Sequence, residues 1–222
     1  KGDPVYGFNG SGFGAYANYL CISEKESKEN CVVNKPVNMS YGEAAAVAYG
    51  GALAPYYLEK ANIQKGQKVL IYGASGSFGT TSVQLAKHLG AEVTGVCSTG
   101  NVELVKSLGA DKVIDYRKED FSNKNETYDF ILDAVPHGKI DQKNLKNMCK
   151  KMLSPNGIFA SINEGSPKVK AEYLTQLNTL FEKGSFKAVI DRTYPIEQIV
   201  DAHTYVDTGR KKGNVVITIG HT

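Results

Sequence analysis

One segment near the middle of the chain constrains the fold more than any other, because it combines a strand, a glycine-rich turn and a helix. Lys68–Tyr72 is an apolar, β-branched run of the kind found in buried parallel strands. Gly73–Gly79 follows, and Thr81–Leu89 then places apolar residues at helical spacing before Gly90. A helix start offers amide groups and a positive dipole end, so glycines in this context predict a phosphate site.

Two glycines of this turn have different predicted roles. Gly76 lets the backbone approach a diphosphate, and Gly79 lets the helix pack closely on the strand. Ala74 stands where the full G-x-G-x-x-G fingerprint has a glycine, so the turn reads G-x-x-G-x-x-G. Taken alone, the turn is also compatible with an ordinary tight connection between a strand and a helix.

The segments that follow favour the phosphate-binding interpretation. Ala91–Cys97, Val102–Leu108 and Lys112–Tyr116 have the patterns of a strand, a short helix and a third strand. Together with the central segment they predict β-α-β-α-β, which is one mononucleotide-binding half of a doubly wound parallel sheet. Further strands are predicted at Tyr128–Val135, Ile158–Ile162, Phe186–Ile190 and Asn214–Ile219, and in Gly12–Ile22 and Cys31–Val33. Further helices are predicted at Ala44–Ala48 behind a Ser40–Glu43 capping box, and at Tyr56–Ala61, Asp141–Leu153, Lys168–Lys183 and Pro195–Val206.

Composition excludes some partners. The net charge of the 222 residues is only +3, and the basic residues are scattered singly, which argues against nucleic acid. No apolar run reaches membrane-spanning length, so no membrane partner is expected. The four cysteines show no C-x-x-C spacing and suit free thiols in a reducing compartment, so we expect a cytoplasmic protein.

Several ordered segments together resemble a known family. The chain resembles the zinc-free, quinone oxidoreductase-like branch of the medium-chain dehydrogenase/reductase superfamily. The segments that carry the resemblance are Gly2–Gly7 with Gly12–Tyr19, Gly66–Gly90, Val105–Tyr116 and Ala188–Ile219.

The resemblance implies an α/β fold in which a Rossmann sheet accompanies a partial GroES-like β domain. Residues 1–40 would be a remnant of the GroES-like catalytic domain, 41–189 the Rossmann domain and 190–222 a return segment to the catalytic domain. The amino-terminal part of the GroES-like domain would precede Lys1. The connection after Asn163 is shorter than in the family, which indicates a deletion or missing residues near Pro167–Lys168.

The resemblance also bears on zinc. Zinc-dependent members carry a cysteine-rich lobe where Asn9–Tyr19 stands here, and a later zinc-ligand cysteine aligns near Tyr49. Neither position offers a typical ligand, so no metal is predicted. The remaining ligands would precede Lys1, and this leaves a zinc-dependent alcohol dehydrogenase as an alternative.

The predicted cofactor is NADPH, with NADH possible. An NAD site places an acidic residue at the end of the second strand, where this chain has Ser98 and, shortly after, Asn101. By the resemblance, Ser98 and Tyr116 contact a 2′-phosphate, although a strand-end aromatic that merely covers the sheet is the alternative for Tyr116. Strand ends point to Ala134, Val135, Ile162 and Asn163, and the family adds Asn214. The candidate cofactor-binding residues are therefore Ser75, Gly76, Ser77, Phe78, Gly79, Ser98, Asn101, Tyr116, Ala134, Val135, Ile162, Asn163 and Asn214.

The implied activity is hydride transfer from NADPH to a quinone or to an activated enone, that is, to a small-molecule carbonyl substrate. The proton would come from solvent or from a tyrosine. Tyr49 is a candidate, but it can equally be a packed helix aromatic, so no catalytic residue is assigned. The alternatives are the zinc-dependent dehydrogenase and a non-enzymatic cofactor-binding protein on the same fold. The family often dimerises through Rossmann sheet edges, so a homodimer is a possible assembly.

Overall fold

The computed structural model describes residues 1–10, 14–23, 25, 27, 30–121, 126–138, 141–165 and 167–220. Contacts divide the chain into two compact units, one of Lys1–Tyr56 with Pro167–Thr222 and the other of Tyr57–Ser166. The elements in chain order are β1 (Val5–Phe8), β2 (Cys31–Asn34), α1 (Tyr41–Lys60), β3 (Lys68–Tyr72), α2 (Ser77–His88), β4 (Glu92–Cys97), α3 (Val102–Ser107), β5 (Lys112–Asp115), β6 (Tyr128–Asp133), α4 (Gln142–Lys151), β7 (Leu153–Ser161), α5 (Ala171–Glu182), β8 (Ile190–Pro195), α6 (Ile199–Asp207) and β9 (Asn214–Thr218).

The unit Tyr57–Ser166 is built on a five-stranded sheet in the order β5-β4-β3-β6-β7, with every neighbouring pair parallel. The central strand β3 carries the fully buried run Val69, Leu70 and Ile71, as a strand covered on both faces requires. Helices α2 and α3 connect β3, β4 and β5, and α4 connects β6 to β7. The predicted α/β class, with its doubly wound parallel sheet, is confirmed.

One face of this sheet packs on an apolar cluster that includes α4. Leu145 and Cys149 of α4 lie against Leu70 and Ile131 of the central strands. The helix begins at a true cap, because the Asp141 carboxylate accepts the amide of Asn144 at 3.1 Å.

The strand order reverses beside β3, and this places the candidate site. From β3 the chain moves outward through β4 to β5, and it then returns to β6 on the opposite side of β3. The carboxyl ends of β3 and β6 therefore flank a topological switch point, where open α/β sheets bind their ligands.

The described residues of the other unit include two strand pairs, most of α1, and helices α5 and α6. β1 and β2 pair antiparallel, and β8 and β9 pair parallel. Tyr6 of β1 donates its hydroxyl to Asn178 Oδ1 of α5 at 2.6 Å, and Asn178 Nδ2 donates to the Asn34 carbonyl at 2.9 Å. Helix α1 packs on the same α5 so closely that a Cβ at Gly51 would lie 2.9 Å from the Leu174 and Leu177 side chains.

Some predicted elements differ from the structure. The predicted capping box is present, since Ser40 Oγ accepts the Glu43 amide at 3.2 Å and Glu43 Oε2 accepts the Ser40 amide at 2.9 Å. It opens one helix, Tyr41–Lys60, instead of two, and Pro55 lies inside it. The buried alanine and leucine side chains around Pro55 hold the helix together despite the missing amide donor.

Two strand predictions are wrong. Within the described part of Gly12–Ile22 the backbone forms bends and no strand, because most of its aromatic side chains are exposed and lack a neighbouring strand. The strand predicted at Phe186–Ile190 begins only at Ile190, where pairing with β9 starts, so Phe186 packs in the core from a loop. The domain boundaries at residues 40 and 189 stay predictions, and the compact units divide at Tyr56 and Pro167.

Candidate functional site

The glycine turn after β3 is tied to the neighbouring strand by its backbone. The amides of Gly73 and Ala74 both donate to the Val96 carbonyl of β4, at 3.0 and 3.1 Å, and the Gly76 amide donates to the Gly73 carbonyl at 3.0 Å. Gly73 has a φ of +82°, which side-chain-bearing residues rarely adopt. The turn is therefore a fixed structure at the carboxyl end of the central strand.

Gly76 and Gly79 have different surroundings. A Cβ at Gly79 would lie 2.1 Å from the Gly73 carbonyl oxygen and 2.8 Å from the Ala74 Cα, so only glycine permits α2 to pack this closely on the turn. This is the close packing predicted for Gly79. A Cβ at Gly76 would meet only the Gly73 oxygen, at 3.5 Å. Apart from the chain neighbours, no other heavy atom of the described residues lies within 4 Å of that position, so the backbone at Gly76 is open to the approach of an external group.

Helix α2 adds a favourable field to this space. It begins at Ser77 with Gly76 as its cap residue, has no acidic residue in its first turn, and carries Lys87 and His88 in its last turn. The amides of a first helical turn have no acceptor within the helix, and the dipole makes that end positive. An anionic group such as a diphosphate is the ligand that this arrangement suits.

The end of β4 joins the turn through uncharged side chains. Asn101 Nδ2 donates to Ser75 Oγ at 3.0 Å and to Ser98 Oγ at 3.2 Å. The structure therefore brings three predicted residues from two different loops into one hydrogen-bonded group. All three of these side chains are neutral.

The end of β5 forms an open cavity of about 440 Å³ beside Tyr116. The Tyr116 ring is 46% exposed, and its centroid lies 6.5 Å from that of Tyr72. Burial, followed by the charge of Tyr116, raises the pKa of the Tyr72 hydroxyl. The cavity is also lined by two cationic and two acidic residues that the sequence analysis did not select, namely Arg117, Lys118, Glu119 and Asp120. Their position directly after a predicted strand end was the signal that could have found them.

The ends of β6 and β7 bring the remaining strand-end candidates together. The Ala134 amide donates to the Tyr72 carbonyl at 2.9 Å, and a Cβ at Gly73 would lie 2.7 Å from Val135 Cγ2. Asn163 Nδ2 in turn donates to the Val135 carbonyl at 2.7 Å, and the Ile162 amide donates to the Asp133 carbonyl at 3.0 Å. The candidates after β6 and β7 thus lie together at the carboxyl edge of the sheet, beside the glycine turn, whereas the Phe78 side chain is buried in α2 with its ring centroid 5.6 Å from that of Tyr57.

Other residues named from the sequence lie in the unit formed by Lys1–Tyr56 and Pro167–Thr222. Asn214 begins β9, where its Nδ2 donates to the Val189 carbonyl at 3.1 Å. Tyr49 lies on α1 with its ring centroid 5.9 Å from that of Phe8, and burial raises the pKa of its hydroxyl. The cofactor contact of Asn214 and the proton-donor role of Tyr49 stay predictions.

The described residues contain neither a metal-binding cluster nor a membrane-spanning helix. Among them, no group of three or more His, Cys, Asp or Glu side chains is placed to hold a metal ion. Within the same ranges, no helix combines the length and the apolar character needed to cross a bilayer.

Both the sequence and the fold match known proteins. Two family models, both described as zinc-binding dehydrogenase, match residues 78–162 and 163–217. The chain is 37% identical to 2-methylene-furan-3-one reductase of Solanum lycopersicum, over 98% of the chain and 58% of that protein. It is 31% identical to the chloroplastic NADPH-dependent alkenal/one oxidoreductase of Arabidopsis thaliana, over 92% of the chain and 53% of that protein. The chain thus spans little more than half the length of these relatives.

Solved structures match the fold. The quinone oxidoreductase from Coxiella burnetii has a TM-score of 0.70 and 23% identity, over 86% of this chain and 67% of that one. An alcohol dehydrogenase superfamily protein from Novosphingobium aromaticivorans has a TM-score of 0.78 and 22% identity, over 99% of this chain and 76% of that one. At these sequence identities the likeness establishes the fold alone.

Proposed function

We propose that this chain, which belongs to the quinone oxidoreductase-like branch of the medium-chain dehydrogenase/reductase superfamily, is the cofactor-holding part of an NADPH-dependent enzyme that reduces a quinone or an activated enone without zinc. The observation that carries the proposal is the open space at Gly76, at the start of α2 and at the switch point of the sheet. Two relatives, named as a 2-methylene-furan-3-one reductase and an alkenal/one oxidoreductase, support a conjugated carbonyl substrate.

The residues of the chain would hold and orient the cofactor along the carboxyl edge of the sheet. The diphosphate would rest on the turn Ser75–Gly79, the adenosine half would lie toward Ser98, Asn101 and Tyr116, and the nicotinamide half toward the turns after β6 and β7. The bound cofactor supplies the hydride. The protein's part is to fix the nicotinamide turns and to exclude water, and the proton comes from solvent or from a tyrosine.

Two features support NADPH over NADH. The end of β4 presents the neutral residues Ser98 and Asn101 where an NAD site has a carboxylate, so the acidic residue that selects against a 2′-phosphate is missing from this position. Arg117 and Lys118, beside Tyr116, place two cationic side chains at the adjoining cavity, which Glu119 and Asp120 also line. The Arg117 amide donates to Asp115 Oδ1 at 3.1 Å, which anchors the start of this charged segment.

The experiment is a titration of the full-length gene product with NADPH and NADH, followed by a turnover screen against quinones, enones and simple aldehydes with and without a chelator. We expect tighter binding of NADPH and chelator-insensitive oxidation of it by enones or quinones. Activity that a chelator abolishes would favour the zinc-dependent alcohol dehydrogenase. NADPH binding without turnover on any substrate would favour a non-enzymatic role.

Assembly and location are proposals as well. We propose a homodimer, supported by β7 lying at the edge of the sheet with Ile158 exposed, and sedimentation of the full-length protein tests it. We propose a cytoplasmic location, supported by the four free cysteines, and imaging of a tagged full-length protein tests that.

A further inference from the structure

A buried carboxylate lies directly beneath the turns assigned to the nicotinamide half. Asp133, the last residue of β6, is only 1% exposed. Its Oδ1 accepts the Val135 amide at 3.0 Å, and its Oδ2 accepts the Ser161 hydroxyl at 2.8 Å and the Asn163 Nδ2 at 3.5 Å. A buried carboxylate is costly unless it is fully hydrogen-bonded, so an apolar residue would serve a purely structural strand end better.

The hydrogen bonds around Asp133 join two turns that the sequence separates by almost thirty positions. Asn163 Nδ2 also donates to the Val135 carbonyl at 2.7 Å and to Ser161 Oγ at 3.1 Å, and the Asn163 amide donates to the same Oγ at 3.1 Å. The turn after β6 and the turn after β7 are therefore held by one connected network. Because Val135 packs against Gly73, this network also supports the glycine turn on which the diphosphate is proposed to rest.

The same two strands carry a second Asp–Ser pair at their opposite ends. Ser154 Oγ of β7 donates to Asp129 Oδ1 of β6 at 3.0 Å, and the Lys68 amide donates to Asp129 Oδ2 at 2.9 Å. This pair joins the amino ends of the strands, away from the candidate residues. Like Asp133 and Ser161, this pair joins β6 to β7 by a side-chain hydrogen bond, so it provides a matched control for a purely structural role.

We propose that Asp133 is a positioning residue that fixes Val135 and Asn163 for the nicotinamide–ribose half of the cofactor. The inference rests on the proposed function, since it assumes that a nicotinamide dinucleotide occupies this edge. Asp133 touches no reacting atom in this role. It acts through the backbone of Val135 and the side chain of Asn163.

The geometry explains why a carboxylate is required. Three donors converge on Asp133, and a carboxylate is the side chain that only accepts. Asp133→Asn keeps the shape of the side chain but turns an amide NH₂ toward one set of these donors. Two donors then face each other, and one hydrogen bond of the network is lost. The two turns then lose their common anchor while the strands keep their backbone pairing.

The test compares two ligands that share the adenosine half: NADPH, and adenosine 2′,5′-bisphosphate, which lacks the nicotinamide. In the full-length protein, Asp133→Asn is expected to weaken NADPH about tenfold, the size expected for one buried charge-assisted hydrogen bond, and to leave the bisphosphate unchanged. Asp129→Asn, the control, is expected to change neither affinity. Ser161→Ala keeps the Val135 anchor but removes one donor to Asp133 and the oxygen that accepts from Asn163, and a loss confined to NADPH is expected.

Equal weakening of both ligands by Asp133→Asn would mean a general structural role and overturn the inference, as would an unchanged NADPH affinity. If Asp133→Asn does not fold, the same two affinities are compared in Ser161→Ala, which removes no charge. Weaker binding of NADPH alone would then support the inference, and equal weakening of both ligands or no change would overturn it. A parent protein that binds neither ligand would overturn the proposed function and this inference with it. If the parent binds NADPH and Asp133→Asn does not give the expected result, only the inference about Asp133 is overturned.

Discussion

The two glycines of the central turn allow folding and cofactor binding to be perturbed separately. In Gly79→Ala the new Cβ would meet backbone atoms at 2.1 and 2.8 Å, and backbone cannot rotate away as a side chain can. Overpacking costs about 1–3 kcal/mol, and this contact belongs at the upper end. We therefore expect the midpoint of thermal unfolding to fall by roughly 5–10 °C.

Gly76→Ala should have the opposite profile. Gly76 has φ −78° and ψ 175°, which alanine adopts without strain, and the new Cβ would meet only one atom, at 3.5 Å. The cap preference for glycine over alanine and the entropy gain of alanine nearly cancel, so stability should stay within about 1 kcal/mol of the parent. The methyl group would instead occupy the space proposed for the diphosphate, and a similar overpacking cost corresponds to a roughly tenfold to hundredfold weaker NADPH complex.

Thermal unfolding and NADPH titration by fluorescence, on the same preparations, measure both effects. Gly220→Ala is the control, because a Cβ there meets nothing within 4 Å and both quantities should be unchanged. An unchanged NADPH affinity in Gly76→Ala would refute the placement of the diphosphate. An unchanged midpoint in Gly79→Ala would refute the close packing of α2 on the turn.

Three further predictions concern other parts of the molecule. Arg117→Ala should weaken the binding of NADPH and leave the binding of NADH unchanged, so the dissociation constant of NADH divided by that of NADPH falls toward one. An equal effect on both cofactors would place Arg117 away from the 2′-phosphate. A thiol reagent at neutral pH should label Cys21 alone in the native protein and all four cysteines after denaturation, since burial raises the pKa of Cys97 to about 11 and of Cys149 to about 12; mass spectrometry counts the labels. The hydrogen bond from Lys112 lowers the pKa of Glu126 below its ordinary value, so this group stabilises the fold above its unfolded pKa and loses that contribution as pH falls through its folded pKa. The stability difference between the parent and Glu126→Gln, measured by denaturant titration, should therefore shrink on acidification, and a difference that grows would contradict the pairing.

The sequence predicts the sheet well because its signals are local. The buried run of β3, the glycine turn and the period of α2 each lie within a few consecutive residues, and all appear in the structure. The parallel order follows from the alternation of strands and helices. The strand predicted within Gly12–Ile22 failed because aromatic residues punctuated by glycine describe a strand only when a neighbouring strand pairs with them.

The candidate site divides in the same way between local and distant signals. Strand ends can be read from the sequence, so Ala134, Val135 and Asn163 could be placed at one edge of the sheet, while their contact with a cofactor stays a prediction. The role of Asp133 could not be read, because an aspartate at the end of a strand gives no sign of which donors converge on it. Those donors include Ser161 and Asn163, from a different strand and turn, and only the fold brings them to the carboxylate.

The two ends of the sheet satisfy their polar groups differently, and this difference supports the location of the ligand. At the amino ends, Lys112 pairs with Glu126 at 2.7 Å and with Glu92 at 3.4 Å, and Lys68 pairs with the same Glu126 at 3.4 Å. Those opposite charges neutralise one another within the protein. At the carboxyl ends of the central strands, the neutral side chains of Ser75 and Asn101 bond to each other beside the turn that precedes α2, the first turn of α2 has no acidic residue, and the carboxylate of Asp133 is enclosed beneath the turns. An anionic ligand would balance the positive end of α2 best, and this supports the proposal that the dinucleotide binds at the carboxyl edge.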